Sequence, residues 1–187
     1  MLSHLVSAQE WSENYALLDG TTCVYTFRDS QFPVPEVIDG DLETVGQTGR
    51  EVTVALPTRK SIHRVVIRGT NIEDVIVYAG LGGEGDWRKI KQVKNSREST
   101  MDLRINAVTD RIRLRIGGTF DDQRVAGAYS AQRHAITSQR KLGKPMAQEI
   151  ELYGFADKPQ QADRIESEDT PASTEEVEGI EEEVPEF

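Results

Sequence analysis

Along the first four fifths of the chain, short runs of apolar residues alternate with polar ones. Residues 22–27 (Thr-Cys-Val-Tyr-Thr-Phe) are rich in β-branched and aromatic side chains. Residues 62–68, 74–78, 101–105, 111–116 and 149–153 repeat the theme, and 51–56 does so in part. In 101–105 and 111–116 the alternation is strict: Met101, Leu103 and Ile105 on one side, Asp102 and Arg104 on the other. A period of two puts the apolar side chains on one face, as in a half-buried antiparallel sheet. Turn signals punctuate the runs at Asp39-Gly40-Asp41, Pro57, Gly69, Gly80 to Gly85 and Gly117-Gly118. Many short strands with almost no helical periodicity predict an all-β sandwich or barrel.

Two stretches leave this pattern. Residues 119–147 form a long connection with Arg124, Arg133, Arg140, Lys141 and Lys144 against Asp121 and Asp122. Connections of this length carry function or hidden structure, and a short helix fits within 129–142. From Asp157 onward the chain is rich in Glu, Pro, Ser and Thr, a composition that predicts a flexible acidic tail. The expected organisation is an N-terminal extension (1–11), a β-sandwich (12–156) and the tail (157–187).

Charge sharpens that division. The tail carries 12 acidic and 2 basic residues, leaving 20 of each sign in residues 1–156. A neutral body with an acidic tail argues against nucleic-acid binding, which needs a basic field, and against docking on anionic lipid. No apolar run reaches the length of a membrane span. The first eight residues are too short and polar for an intact signal peptide, and equally fit the remnant of a removed leader. The single cysteine, Cys23, allows no internal disulfide and reads as a buried, inert thiol.

The segments, taken in order, resemble the discoidin, or coagulation-factor type C, family. Asn14-Tyr15-Ala16 resembles its opening stretch. Residues 37–44, Val-Ile-Asp-Gly-Asp-Leu-Glu-Thr, resemble its Asp-Gly loop. Residues 52–56 and 62–67 resemble its paired strands, 75–87 its strand, Gly-rich turn and Trp, 111–116 its Arg-rich late strand, and 149–154 its closing strand. The resemblance covers roughly residues 12–155 and implies a galactose-binding-like jelly-roll sandwich of eight strands, used to bind sugars, lipids or proteins, and an extracytoplasmic location. The sequence departs from the family pattern at Gly46, where a Trp is usual, and in the length of the 119–147 connection.

The resemblance also implies a structural calcium in the Asp-Gly loop. Carboxylates would come from Asp39 and Asp41, backbone carbonyls from Val37 and Thr44, and a further carboxylate from Glu149. Calcium takes six to eight oxygens of this mixed kind. The alternative is an ordinary Asp-Gly turn. By position, the implied sugar-binding candidates at the end of the sandwich are Arg28, Phe32, Arg68, Asn71, Phe120 and Arg124, where Arg would bond hydroxyls and an aromatic ring would stack. Trp87, opening a strand after the Gly-rich turn, is expected in the core.

No catalytic constellation stands out. His4, His63 and His134 lack a neighbouring nucleophile or metal-ligand spacing, and His63 reads as a half-buried structural histidine. Gly80 to Gly85 lacks the Lys of a phosphate loop. In the tail, Val177, Ile180, Val184 and Phe187 recur at helical spacing and would form one apolar stripe among glutamates. That stripe could dock a protein partner, or the tail could simply solubilise the chain. The function expected is non-catalytic recognition of a carbohydrate or surface ligand through apical loops. The alternative is an accessory subunit of a protein assembly, bound through the sandwich and the tail.

Overall fold

A computed structural model describes residues 10–83, 85–122 and 143–156. Among the described residues nine strands follow in order: β1 (Thr22–Phe27), β2 (Ser30–Pro33), β3 (Gly46–Gln47), β4 (Glu51–Arg68), β5 (Ile72–Gly80), β6 (Trp87–Val93), β7 (Met101–Thr119), β8 (Met146–Ala147) and β9 (Glu149–Tyr153). All strand pairings are antiparallel. The main sheet runs β2-β1-β4-β7-β5-β6, with β9 added to β4, and β3 pairs with β8 apart from it. The all-β antiparallel sandwich expected from the sequence is the observed fold.

Two long strands make the sandwich. β4 and β7 pair along nearly their full lengths, with register breaks between Ala55 and Lys60 and between Ile62 and Arg64. The first half of β4 is flanked by β1 and the second half by β9, while the second half of β7 is flanked by β5. Each long strand therefore serves both layers and changes layer at its irregularities, as strands do at sandwich corners. Pro57, read from the sequence as a turn, sits in this break. It is exposed, where its missing N–H costs no ladder bond.

Alternate residues of both layers meet in one core. Val52, Val54, Val75, Val77, Ile112 and Leu114 of one layer and Val65, Ile67, Ile150 and Leu152 of the other are each at most 0% exposed. The β-branched excess suits this pleated, close-packed interior. Cys23 lies in the same cluster at 3% exposure, and burial pushes its thiol up to about 12. It is the inert thiol that the sequence predicted.

The N-terminal segment is stitched to the closing strand. Asn14 Oδ1 accepts from Ala16 N (3.0 Å) and from Leu152 N (2.9 Å). Trp11 forms a bridge with Phe155 and stacks on its ring at 5.1 Å, and His63 stacks on the same ring at 4.3 Å. The structural role read for His63 is thus its place under Phe155.

One expectation needs correction. Trp87 does open a strand, but it is not part of the core. It pairs with Gly80 on the outer face, where the guanidinium of Arg113 lies 3.9 Å from its ring centroid and that of Arg111 5.3 Å. The arginine ladder of β7 thus makes a lid for an amphipathic ring, which is a cation–π arrangement rather than apolar burial. Arg124, the helix expected within 129–142, and the tail stripe of Val177, Ile180, Val184 and Phe187 lie outside the described residues.

Candidate functional site

Two places on the described fold gather polar groups. The first is the Asp-Gly loop. Gly40 bends it at φ 78, a left-handed conformation that favours glycine. Its N–H donates to Glu149 Oε2 at 3.1 Å, so the loop and β9 meet although 109 residues separate them. Asp41 N donates to Asp39 Oδ1 (2.8 Å) and Glu43 N to Asp41 Oδ1 (2.9 Å). The Thr44 hydroxyl faces four oxygens: Asp41 O at 2.9 Å, Asp39 Oδ2 at 3.0 Å, and Asp39 Oδ1 and Glu36 O at 3.2 Å each. One hydroxyl has one proton, so it satisfies one of these acceptors at a time.

Glu149 is 2% exposed, and its Oε1 has no hydrogen-bond partner among the described residues. Burial pushes its carboxyl up to about 7, the charges of Asp39 and Glu151 add to this, and the Gly40 N–H opposes it. An orphaned buried carboxylate oxygen beside a convergence of carbonyl, hydroxyl and carboxylate oxygens is a donor set for a hard cation. Among the described residues, no group of three or more His, Cys, Asp or Glu is placed to hold a metal. A shell here would therefore draw mostly on carbonyl and hydroxyl oxygens. The side chain of Thr44 and the carbonyl of Glu36 face the cluster, whereas the Asp41 side chain is occupied in capping Glu43.

Gly46 is confined by its neighbours. A Cβ there would lie 2.4 Å from Val37 Cγ1 and 2.9 Å from Val34 Cγ2. Val34 and Val37, both buried, fill the place that a larger side chain would need.

The second place is a cavity of about 340 Å³ lined by Glu73, Arg97, Thr119 and Phe120. These come from the start of β5, the β6–β7 connection and the end of β7. Phe120 is 40% exposed, a large apolar ring left in reach of solvent. Thr119 is 1% exposed, and its hydroxyl has no hydrogen-bond partner among the described residues. Arg97 and Glu73 supply opposite charges at the rim. Ring and charged groups in one concavity are what a polyhydroxylated ligand would use: apolar contact with its C–H face and directional bonds to its hydroxyls.

Asn71 and Asp122 hold this cavity in shape. Asn71 Nδ2 donates to Asp121 Oδ2 (3.0 Å) and Lys144 O (2.9 Å), Asn71 Oδ1 accepts from Met146 N (3.0 Å), and Asn71 O accepts from Phe120 N (3.0 Å). Its side chain is engaged with the chain around it. Asp122 accepts from Arg50 Nη2 (2.6 Å), Gly143 N (2.8 Å) and Thr119 N (3.0 Å), pinning both ends of the long connection.

The sequence-predicted ligand residues that are described, Arg28, Phe32, Arg68, Asn71 and Phe120, do not converge. Phe120 lines the cavity and Asn71 sits behind it. Arg68 is held in a two-pronged pair with Glu151. Phe32 stacks on Tyr25 at 5.2 Å on the β1–β2 hairpin, and Arg28 stands at the tip of the same hairpin. Sequence reasoning missed Glu73, Arg97 and Thr119. They lie on three separate connections, and no local spacing joins them. Among the described residues, no helix is long and apolar enough to cross a membrane.

The β4–β7 corner, the closing strand on the Asp-Gly loop and the order of strands make one antiparallel β-sandwich. Solved structures share it. Chitosan-binding module 1 of a chitosanase/glucanase from Paenibacillus sp. IK-5 matches at TM-score 0.52 and 12% identity, over 76% of this chain and 100% of that one. Chitosan-binding module 2 of the same enzyme, in complex with chitotriose, matches at 0.52 and 12%, over 75% and 100%. The CpGH89CBM32-6 domain produced by Clostridium perfringens matches at 0.52 and 16%, over 75% and 98%. At such identities the likeness is one of fold. No protein-family model matches the sequence, and no curated protein does.

Proposed function

We propose that the chain is a non-catalytic carbohydrate-binding module acting outside the cytoplasm, with a glycan seated against Phe120. The observation that carries this reading is the 340 Å³ cavity, where an exposed ring stands beside Thr119, Arg97 and Glu73 on a fold whose solved neighbours include chitosan-binding modules. In this reading Phe120 stacks on a sugar face, and Arg97 and Glu73 bond hydroxyls from opposite sides. Asn71 and Asp122 are positioning residues. Calorimetric titration with a panel of neutral oligosaccharides, and with chitotriose, whose amines are partly protonated, is the test. At least one should bind, and Phe120→Ala should weaken it by roughly tenfold or more, the loss of about 1.4 kcal/mol of stacking. Binding that Phe120→Ala leaves unchanged would contradict the assignment.

A structural calcium at the Asp-Gly loop is part of the same proposal. Asp39, Glu149, the Thr44 hydroxyl and the carbonyls of Glu36 and Asp41 would hold it, with Val37 and the carboxylate of Asp41 nearby. Bound there, the ion would neutralise the buried carboxylate and tie the loop to β9. Stripping metal with a chelator should lower the melting temperature, and calcium should restore it. A melting temperature indifferent to both treatments would contradict the ion.

A further inference from the structure

The outer face of the larger layer carries a feature that the Phe120 cavity does not use. A groove of about 560 Å³ crosses it, lined by Thr26, Arg28, Arg50, Glu51, Arg115 and Ile76 among others. Glu51, Arg115 and Ile76 are direct cross-strand neighbours on β4, β7 and β5, so they form one row. Three guanidinium groups thus face one carboxylate, and that carboxylate leans elsewhere: Glu51 Oε1 lies 3.4 Å from Arg113 Nη1.

The arginines keep donors in reserve. Arg115 is exposed and makes no ion pair among the described residues. Arg28 has the ring of Phe27 beneath it at 5.3 Å. Arg50 commits Nη2 to Asp122 and to Gly143 O (2.8 Å), but its Nη1 is shielded from water and has no partner among the described residues. A donor shielded from water without an acceptor costs about 1–3 kcal/mol.

Arg28 adds an independent sign. It is the first of the two residues in the tight β1–β2 turn, where Phe27 pairs with Ser30. It has φ 56, while Asp29 is not in the positive-φ region. Positive φ at the first loop residue alone is the type II′ pattern, whose first position favours glycine. An L-residue there costs about 1–2 kcal/mol. The fold holds a cation in a strained position at the mouth of a groove already rich in cations, and such strain gathers at functional sites.

We propose that this groove is a second binding site, which takes a carboxylate-bearing saccharide. The planar guanidinium fork matches a planar carboxylate with two parallel hydrogen bonds, and the groove volume falls within the range of small-ligand sites. Arg115 and Arg28 would clasp the carboxylate, and Ile76 would meet the apolar edge of the sugar. The saccharide class rests on the carbohydrate reading of the fold, but the site and its residues are different.

The test is calorimetric titration of the full chain with trigalacturonate, beside neutral trigalactose and a hexaglutamate peptide. Trigalacturonate should bind at least roughly tenfold more tightly than either, and should weaken as salt is raised. Arg28→Gly suits the backbone conformation of the turn, so its melting temperature should stay level or rise while binding falls about tenfold. Arg115→Ala should do the same to binding. Trigalacturonate bound no better than trigalactose, or unaffected by both arginine substitutions, would overturn the site. Equal binding of hexaglutamate would overturn the saccharide class. Binding lost in Phe120→Ala but kept in the arginine variants would place the ligand in the other cavity and also overturn the inference. Failure of every neutral glycan alongside arginine-dependent trigalacturonate binding would sink the Phe120 reading and leave this one standing.

Discussion

Asp122 closes the chain around the Phe120 cavity, and its chemistry makes the closure dependent on pH. Burial raises its carboxyl, but the hydrogen bond from Arg50 and the N–H groups of Thr119 and Gly143 outweigh that and hold it below the ordinary 3.8. A depressed carboxylate contributes stability above its unfolded pKa and loses it as pH falls toward the folded one. Chemical denaturation from neutral pH down to about pH 3 should therefore show a stability difference between the native chain and Asp122→Asn that shrinks with acid. At neutral pH that difference should be about 1–3 kcal/mol, since Arg50 is left with one acceptor fewer. A pH-independent difference would mean that the charge of Asp122 does nothing. Gly40 offers a sharper residue-scale check. Gly40→Ala places a Cβ at φ 78, 3.3 Å from Leu17 Cδ2, and should cost about 1 kcal/mol by urea denaturation.

At the scale of elements, β7 is the spine of the sandwich. It pairs with β4 and β5 and sends Ile112 and Leu114, each 0% exposed, into the core. Leu114→Ala should cost about 2–5 kcal/mol, read as a lowered urea midpoint with an unchanged m-value. A smaller loss would mean that the layers are loosely packed. β1, β5, β7 and β9 were legible in the sequence, because period-2 alternation is the direct imprint of one buried face. The continuity of β4 and β7 was not: each changes layer at an irregularity, which shifts the alternation and reads as two strands with a turn between. β2, β3 and β8 were also illegible, and of β6 only its opening at Trp87 was read. Two-residue strands such as β3 and β8 exist through their pairing with each other, and the apolar residues of β6 follow no clean period. Trp87 misled for a related reason. A large ring in a strand reads as core unless the arginines beside it, on another strand, are already in view. The Asp39–Glu149 approach was foreseeable through the family resemblance, whereas the grouping of Glu73, Arg97 and Thr119 depends on three connections meeting at one end.

At the scale of the molecule, the division of charge suits recognition of a small ligand. Residues 1–156 are balanced, with 20 acidic and 20 basic residues, so no long-range field selects a polyanion. Selection falls to local geometry: an exposed ring beside Arg97 and Glu73 in one cavity, and Arg28 and Arg115 in the other. The claim on which the functional account rests is that the Phe120 cavity receives a sugar. Its most direct test is a titration of the ¹⁵N-labelled full chain with neutral oligosaccharides, followed by amide chemical shifts. The account predicts saturable shifts concentrated at Glu73, Arg97, Thr119 and Phe120. Saturable shifts confined to other surfaces, or none with any neutral glycan, would contradict it.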